Sequence, residues 1–202
     1  MILEETEDLA SLMKIDIHSH TKKCKSGDAP TREILPSNFC ETIQATDVRI
    51  IAITNHNFFD LDQFEEIVGM IGADTQVWPG VELDVHENGV RGHLIVIVSP
   101  KNAKAFFNVV NEITYNFTPD NFSITIEQVI DKFDELKPLY VSHYKQKMPN
   151  LSDEALEKLV SRTDYPRRVI KEVTNSISAG IYISHGHASI YGSDVHDWSS
   201  YF

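Results

Sequence analysis

Apolar and polar positions alternate near the amino terminus with a period of two. Ile15 and Ile17 point to one face of a predicted strand. Asp16, His18 and His20 point to the other face. Two imidazoles at this spacing lie on the same side of a strand and can hold one metal ion. A pair of this kind is also typical of a surface or hydrogen-bonded strand end, so the pattern alone leaves both interpretations open.

Downstream, apolar strand-like runs alternate with segments of helical periodicity. A short helix over 4–13 is predicted to precede the first strand. The later elements are a helix at 36–46, a strand at 49–54, a helix at 60–71, strands at 76–86 and 92–99, helices at 104–113 and 124–136, a strand at 138–142 and a helix beginning at Ser152. Residues 168–174 fit a sixth strand or a helix, and residues 189–192 lead into a last polar turn. Pro79 and Gly80 are expected to interrupt the strand at 76–86.

This alternation predicts the fold class. Strands that alternate with helices form parallel sheets joined by helical crossovers. We therefore expect an α/β fold, either a β/α barrel or a doubly wound sheet, with functional groups at the carboxyl ends of the strands. The 202 residues show no internal repeat and no linker, so one domain over 1–202 is predicted.

Composition narrows the classes of function. Thirty acidic and 18 basic residues give a net charge of −12, which argues against binding nucleic acid through a broad basic surface. Bound divalent cations would weaken that argument, because they add positive charge where a phosphate would sit. The only cysteines are Cys24 and Cys40, so no disulfide framework is indicated. We expect a cytoplasmic protein without a membrane-spanning segment.

Ionisable side chains follow or interrupt five of the predicted strands. Each one alone is more often a satisfied core or surface residue than a ligand. Strands of one parallel sheet would bring all of them to one end of the molecule. Imidazole and carboxylate without a thiolate cluster suit zinc, manganese or iron in an open catalytic site. The groups are His18 with His20, His56, Glu82, His143, and Asp194 with His196.

These residues lie in motifs that resemble those of the PHP (polymerase and histidinol phosphatase) family. The matching segments occur in the family's order and span residues 15–196. They are Asp-Ile-His18-Ser-His20-Thr, Ile-Thr-Asn55-His56-Asn, Pro-Gly-Val-Glu82, Gly-His93-Leu, Ser-His143 and Gly-Ser-Asp194-Val-His196. The resemblance implies a distorted seven-stranded β/α barrel, similar to a TIM barrel. It also implies two or three divalent metal ions (Zn, Mn or Fe) at the carboxyl-terminal face.

The resemblance further implies which residues bind each ion. Two ions would share one carboxylate, the ligands being His18, His20, Glu82 and Asp194 for the first and Glu82, His93 and His143 for the second. A third ion would take His56 and His196 with one ligand from the loop after the first motif. That loop contains no histidine, so Asp28 is the first candidate and Cys24 the second.

Asn55 is a second departure, since the family commonly has Asp before this histidine. An amide carries no charge, so the surroundings of His56 are expected to be less basic. Both departures concern the third ion, whereas the first two keep every ligand.

Such a centre suits phosphoester cleavage by a water or hydroxide of lowered pKa. We therefore expect hydrolysis of a phosphomonoester or a phosphodiester, with Glu82, Asp194 and His196 as the catalytic residues. Either His196 or a metal-bound water would protonate the leaving group. Lys145 and Lys147 are candidate contacts to the phosphate of a small molecule or of nucleic acid, but a solvated loop explains them equally well.

The competing interpretation is a catalytically silent PHP module with a role in assembly or regulation of a larger protein. Intact ligands for two ions favour the enzyme. Similar domains often occur at the amino terminus of larger proteins, including proteins that contain an ATPase domain, so a following ATPase domain is a possible partner. An exposed apolar patch around Trp198, Tyr201 and Phe202 would support that arrangement.

Overall fold

A computed structural model of the chain describes residues 13–145, 147–162, 168–186 and 188–201. The helix predicted over 4–13 lies outside these ranges except for its last residue. The strands are β1 (Lys14–Ser19), β2 (Val48–Ile53), β3 (Gln76–Glu87), β4 (Val90–Ile97), β5 (Ile124–Thr125), β6 (Leu139–His143), β7 (Val169–Glu172) and β8 (Ser189–Ile190). The helices are α1 (Pro36–Gln44), α2 (Leu61–Met70), α3 (Ala103–Thr114), α4 (Ile126–Phe133), α5 (Asp153–Arg162) and α6 (Ser176–Ser184).

Local signals set several of these boundaries. Pro36 occupies the first turn of α1, where its missing N–H costs no hydrogen bond. Asp60 caps α2 by accepting from the backbone N–H of Gln63. Thr125 and Gln128 form a reciprocal capping box at the start of α4. The ambiguous segment at 168–174 forms strand β7 rather than a helix.

The strand order is β1-β2-β3-β4-β6-β7-β8, with β5 paired to β3 apart from this path. The prediction of an entirely parallel sheet is wrong at β4, which runs antiparallel to both β3 and β6. The connection between β3 and β4 is a tight turn at Asn88 and Gly89, both with positive φ. A turn this short can join only antiparallel strands. The interruption expected at Pro79 and Gly80 is also absent, because β3 continues through both residues.

The sheet curls into a half-barrel of seven mixed strands and stays open between β8 and β1 within the described ranges. The chain beyond β8 crosses this gap, where the backbone N–H of Asp194 donates to the carbonyl of His18 at 2.8 Å. The architecture is therefore α/β and resembles a TIM barrel, but it is an open half-barrel, whereas the resemblance implied a distorted seven-stranded barrel.

Both faces of the central strands are covered. Leu94 and Val96 belong to the larger apolar cluster, which joins the strands to the helices. Ile95 and Ile97, which alternate with them, belong to a smaller cluster of strand residues. None of the helices in the described ranges is both long enough and apolar enough to cross a bilayer.

Candidate metal centre

Glu82 of β3 is the central side chain of the candidate metal centre, and it is 1% exposed. Its Oε2 lies 3.2 Å from Nε2 of His18 and 3.3 Å from Nε2 of His20. Nδ1 of His56 lies 3.0 Å from the same oxygen. Three imidazoles therefore face one oxygen of a single buried carboxylate. His18 lies on β1, His20 directly follows β1, and His56 lies in the loop after β2.

The second oxygen of Glu82 faces different histidines. Its Oε1 lies 2.5 Å from Nδ1 of His93 and 3.2 Å from Nε2 of His143. The carboxylate thus separates the histidines into two groups, one for each oxygen. This is the arrangement that a carboxylate bridging two cations requires.

The sheet topology explains why residues so distant in sequence meet here. His18 lies on β1 and His143 ends β6. His56 follows β2 and pairs with Glu82 in an isolated parallel bridge. His93 lies near the start of β4, but β4 is antiparallel to its neighbours, so its start lies at the same end of the sheet. The antiparallel direction of β4 therefore brings His93 to the centre, although His93 lies near the start of its strand.

The donor atoms fit divalent metal ions. Three groupings have potential ligand atoms within 4.8 Å of one another in the described part of the chain: His18–His20–Glu82, His56–Glu82–His93 and His18–His143–Glu172. Among the described residues, Nδ1 of His20 and Nδ1 of His143 are buried without a hydrogen-bond partner. Nδ1 of His56, Nδ1 of His93 and Nε2 of His143 lie close to carboxylate oxygens but form no well-aligned hydrogen bond. Unpartnered buried nitrogens are unfavourable unless something binds them. Imidazole with carboxylate is a donor set for zinc, manganese or iron.

Glu172 is a site residue that the sequence did not identify. It is the last residue of β7 and is 1% exposed. Its Oε1 lies 2.8 Å from Nδ1 of His18, and its Oε2 lies 3.2 Å from Nε2 of His143. The sequence shows only that a carboxylate lies within the segment at 168–174, which fits a strand or a helix. It does not show where that strand ends.

Burial and charge act in opposite directions on the ionisable groups. Burial alone would lower the pKa of His18, but the charges of Glu172 and Glu82 raise it well above its usual value. Burial would raise the pKa of Glu82, yet the charge of His18 and the hydrogen bonds from His18 and His20 hold it well below its usual value. For His56 burial dominates and lowers the pKa to about 3, which keeps the ring neutral. A neutral ring is the form that binds metal.

Asp84 orients His93 from the other side of its ring. Nε2 of His93 lies 3.0 Å from Oδ1 of Asp84, which leaves Nδ1 facing Glu82. The amide of Asn57 donates to the other oxygen of Asp84 at 2.7 Å. Burial lowers the pKa of His93, but Asp84 and Glu82 more than offset it and raise the value to about 9. A carboxylate behind a ligating imidazole commonly fixes its orientation in metal sites.

Asp194 lies beside His18 and His20. Its Oδ1 is 3.2 Å from Nε2 of His20 and 3.5 Å from Nε2 of His18. Its backbone has a φ of 44°, in the left-handed region that Asp tolerates better than most residues. This conformation turns the side chain of the segment after β8 toward β1.

The two candidate lysines lie in different environments. Nζ of Lys147 is 2.7 Å from Oδ2 of Asp194 and 3.8 Å from Oε1 of Glu172, so this lysine borders the centre. Lys145 is half exposed, and its Nζ lies 3.6 Å from Asp153 and over the ring of Tyr144. Only Lys147 is brought to the candidate site.

The residues expected around a third ion surround an arginine instead. Arg32 is 4% exposed, and no sequence pattern distinguished it. Its guanidinium lies between Asp28, His56 and His196. His196 lies at the rim with a side chain that is 63% exposed. Burial and the charge of Asp28 raise the pKa of the Cys24 thiol to about 12.

The side chain of Asn55 forms hydrogen bonds to the segment just after β1. Its Oδ1 accepts from the backbone N–H groups of Thr21 and Lys22, at 2.8 and 3.0 Å. Its amide donates to the hydroxyl of Thr21 at 3.1 Å. Asn55 therefore holds the chain just after the first motif, a role for which an uncharged amide is sufficient.

Trp198 and Tyr201 do not form an exposed apolar patch, since each is 8% exposed, and Phe202 lies outside the described residues. The indole N–H of Trp198 is within hydrogen-bond distance of the carbonyls of His20 and Arg32. The hydroxyl of Tyr201 donates to Asp16 at 2.9 Å. Both residues support the chain around the first motif.

Comparison with solved structures shows which fold this is. A candidate metal-dependent phosphoesterase from Bifidobacterium adolescentis matches with a TM-score of 0.58 and 13% identity, over 93% of this chain and 89% of that one. An amidohydrolase from Chromobacterium violaceum, with bound sulfate and no metal, matches with a TM-score of 0.55 and 12% identity, over 91% and 87%. A two-domain protein of Bacteroides vulgatus, containing a predicted PHP-like metal-dependent phosphoesterase, matches with a TM-score of 0.57 and 12% identity, over 93% and 53%.

No protein-family model matches the sequence, and no curated protein matches it. At identities of 12–13% the solved structures support a PHP-like fold and nothing finer. Function has to be argued from the site.

Proposed function

We propose that this chain is a metal-dependent phosphoesterase whose two divalent ions share Glu82. The observation that carries the proposal is the division of the histidines between the two oxygens of one buried carboxylate. Oε2 faces His18 and His20, and Oε1 faces His93 and His143. A structural zinc site would be a closed set of four ligands around one point, which this arrangement is not.

Each ion has a sufficient set of residues in the proposal. His18, His20 and Asp194 would bind one ion together with Glu82. Zinc, manganese or iron at such a centre supplies Lewis acidity and lowers the pKa of a water nucleophile. His93 and His143 would hold the second ion on the other side of Glu82.

Other side chains would supply positive charge, move a proton and hold the ligands in position. Lys147 places an ammonium beside Asp194, where it can pair with an oxygen of the substrate phosphate. His196 is exposed at the rim and is the candidate for moving a proton to or from the leaving group. Glu172 and Asp84 hold the rings of His18 and His93 in place. Positioning and charge supply most of the rate in phosphoryl transfer.

The proposed substrate is a phosphorylated small molecule or a nucleic acid, and an assay can separate the two. We would measure hydrolysis of p-nitrophenyl phosphate, bis-p-nitrophenyl phosphate and single-stranded DNA with added Mn²⁺. Cleavage of the diester or DNA but not of the monoester would assign a nuclease. Cleavage of the monoester alone would assign a phosphatase.

Variants test the assignment of the centre. We expect His18→Ala and Glu82→Gln to lower both metal content and turnover, the latter by at least about 100-fold. His86→Ala is the matched control, since this half-buried histidine contacts Ser123 and not the centre. If folded Glu82→Gln kept its metal and its turnover, the proposal would be wrong. A wild-type protein that binds the ions but cleaves none of the substrates would favour a silent module instead.

A further inference from the structure

We propose that the guanidinium of Arg32 takes the place of a third metal ion, so that the centre holds two ions and one fixed organic cation. This inference rests on the proposed two-ion function. The family resemblance implies a third ion held by His56, His196 and a ligand from the loop after the first motif. The residues present do not fit that ion, because a permanent cation already lies among them.

Arg32 contacts His56, His196 and Asp28, the residues expected to bind the third ion. Its Nη1 lies 2.7 Å from Nε2 of His56 and 3.2 Å from Oδ1 of Asp28. Its Nη2 lies 2.9 Å from Nδ1 of His196 and 3.3 Å from Oδ1 of Asp194. A set of two imidazoles and two carboxylates that would suit a divalent ion is thus directed at a guanidinium.

An arginine and a metal ion exclude each other here. Guanidinium carries its charge at any accessible pH and has no lone pair to offer a metal. A divalent ion among the same four side chains would be repelled at close range in a site of low dielectric. Arg32 would have to leave before an ion could enter, and at 4% exposure it is almost fully enclosed.

The surrounding chain holds Arg32 and its partners in place. The carbonyl of Arg32 accepts from the indole N–H of Trp198 at 3.1 Å. The hydroxyl of Thr31 donates to the carbonyl of His196 at 2.7 Å. Oδ2 of Asp28 accepts from two backbone N–H groups, at 3.0 and 2.8 Å, which leaves Oδ1 for Arg32. Arg32 is therefore a built-in part of the centre and positions Asp194 and His196.

Counting metal ions tests this directly. Metal-stripped wild-type protein would be titrated with Mn²⁺ or Zn²⁺, and the bound ions measured by mass spectrometry after removal of excess metal. We expect two ions per chain. Arg32→Ala removes the cation and leaves its four partners, so we expect it to bind three. Arg32→Lys restores a positive charge and should return the count to two.

Arg168→Ala is the matched control, because it removes a guanidinium that pairs with Asp134 at 2.7 Å and donates to the carbonyl of Pro138. Arg168 precedes β7, at the end of the strand opposite Glu172. The Arg168→Ala variant should bind two ions. Three ions in the wild type, or two in a folded Arg32→Ala, would overturn the inference. If Arg32→Ala does not fold, His196→Ala decides: a count of two supports the inference, and a count one lower than that of the wild type overturns it. A wild-type count of one would contradict the two-ion function, and Arg32 would then be judged by whether Arg32→Ala gains an ion.

Discussion

Glu172 holds His18 in the orientation that metal binding needs. Both of its oxygens lie within 3.0 Å of Nδ1 of His18, which directs Nε2 toward Glu82. Glu172→Gln keeps the size of the side chain but removes its charge and one of its acceptors. We expect the affinity for metal to fall by about 10–100-fold, the usual effect of losing such a partner. Competition with a chromogenic chelator would measure it.

Glu157→Gln is the control for this change, because Glu157 is an exposed carboxylate on α5. It should leave the affinity unchanged. Equal metal affinities for Glu172→Gln and Glu157→Gln would mean that Glu172 does not support the centre.

Cys24 should make stability fall at high pH. Burial, and then the charge of Asp28, raises the pKa of its thiol from 9.0 to about 12 in the folded chain. The unfolded thiol ionises first as the pH rises, so the stabilisation is complete below pH 9.0 and is lost between 9.0 and about 12. The free energy of unfolding of the wild type should therefore decline relative to that of Cys24→Ser above pH 9.0. Urea titrations would contradict this if the difference between the two proteins stayed constant.

Most of the histidines of the centre could be predicted from residue type and sequence spacing. The residues that contact those histidines, Arg32 and Glu172, could not. His18 and His20 share a strand face, and His93 opens a strand, so each has a local signature. Arg32 has none, because its role comes from three segments that meet only in the folded chain. Glu172 required the end of β7 to be known, and that segment's apolar spacing also fitted a helix.

At the level of elements, the segment after β8 packs tightly against β1 and β7. A Cβ on Gly192 would lie 2.7 Å from Oε1 of Glu172 and 2.7 Å from Cβ of His18. Gly192→Ala should therefore destabilise the protein by about 1–3 kcal/mol, the usual cost of overpacking. It should also weaken metal binding, because Glu172 would be pushed from His18. Thermal unfolding and metal titration would measure both effects.

Gly180→Ala provides the comparison, since a Cβ at this position on α6 meets nothing within 4 Å. Alanine in a helix interior should stabilise by about 0.5–1 kcal/mol. If Gly192→Ala were as stable as the wild type and bound metal equally well, the close packing at this junction would not matter for the centre.

The direction of β4 was the main error at this scale, although the sequence contained the relevant signal. Asn88 and Gly89 form a dipeptide that favours a tight hairpin between antiparallel strands. The general alternation of strands and helices outweighed this local signal in the prediction. His93 opens β4 rather than closing it, and the antiparallel direction accounts for that position.

For the whole molecule, we expect bound metal to contribute substantially to stability. The centre collects buried carboxylates and unpartnered nitrogens at the meeting point of β1, β3, β4 and β6. Metal that binds only the folded chain stabilises it by about 2.7 kcal/mol at a free concentration of 100 times Kd. Thermal unfolding in Mn²⁺ and in EDTA would measure the difference. Identical midpoints in wild type would argue against a centre that is filled in the folded state.

The periodicity of apolar residues predicted the strands and helices, but it did not predict how far the sheet curves. Apolar runs such as Ile50–Ile53 indicate strands covered on both faces, which β2 confirms. Whether the last strand pairs with the first depends on contacts between residues far apart in sequence. In the described residues β8 does not pair with β1, and the chain beyond β8 bonds across the gap at Ser193 and Asp194, so the barrel stays open.

The sharing of Glu82 is the central claim, and anomalous diffraction from crystals grown with Mn²⁺ or Zn²⁺ tests it most directly. We expect two peaks, one about 2 Å from each oxygen of the Glu82 carboxylate. One peak should adjoin His18 and His20, and the other His93 and His143. Peaks confined to other parts of the molecule, or a single ion held without Glu82, would contradict the account.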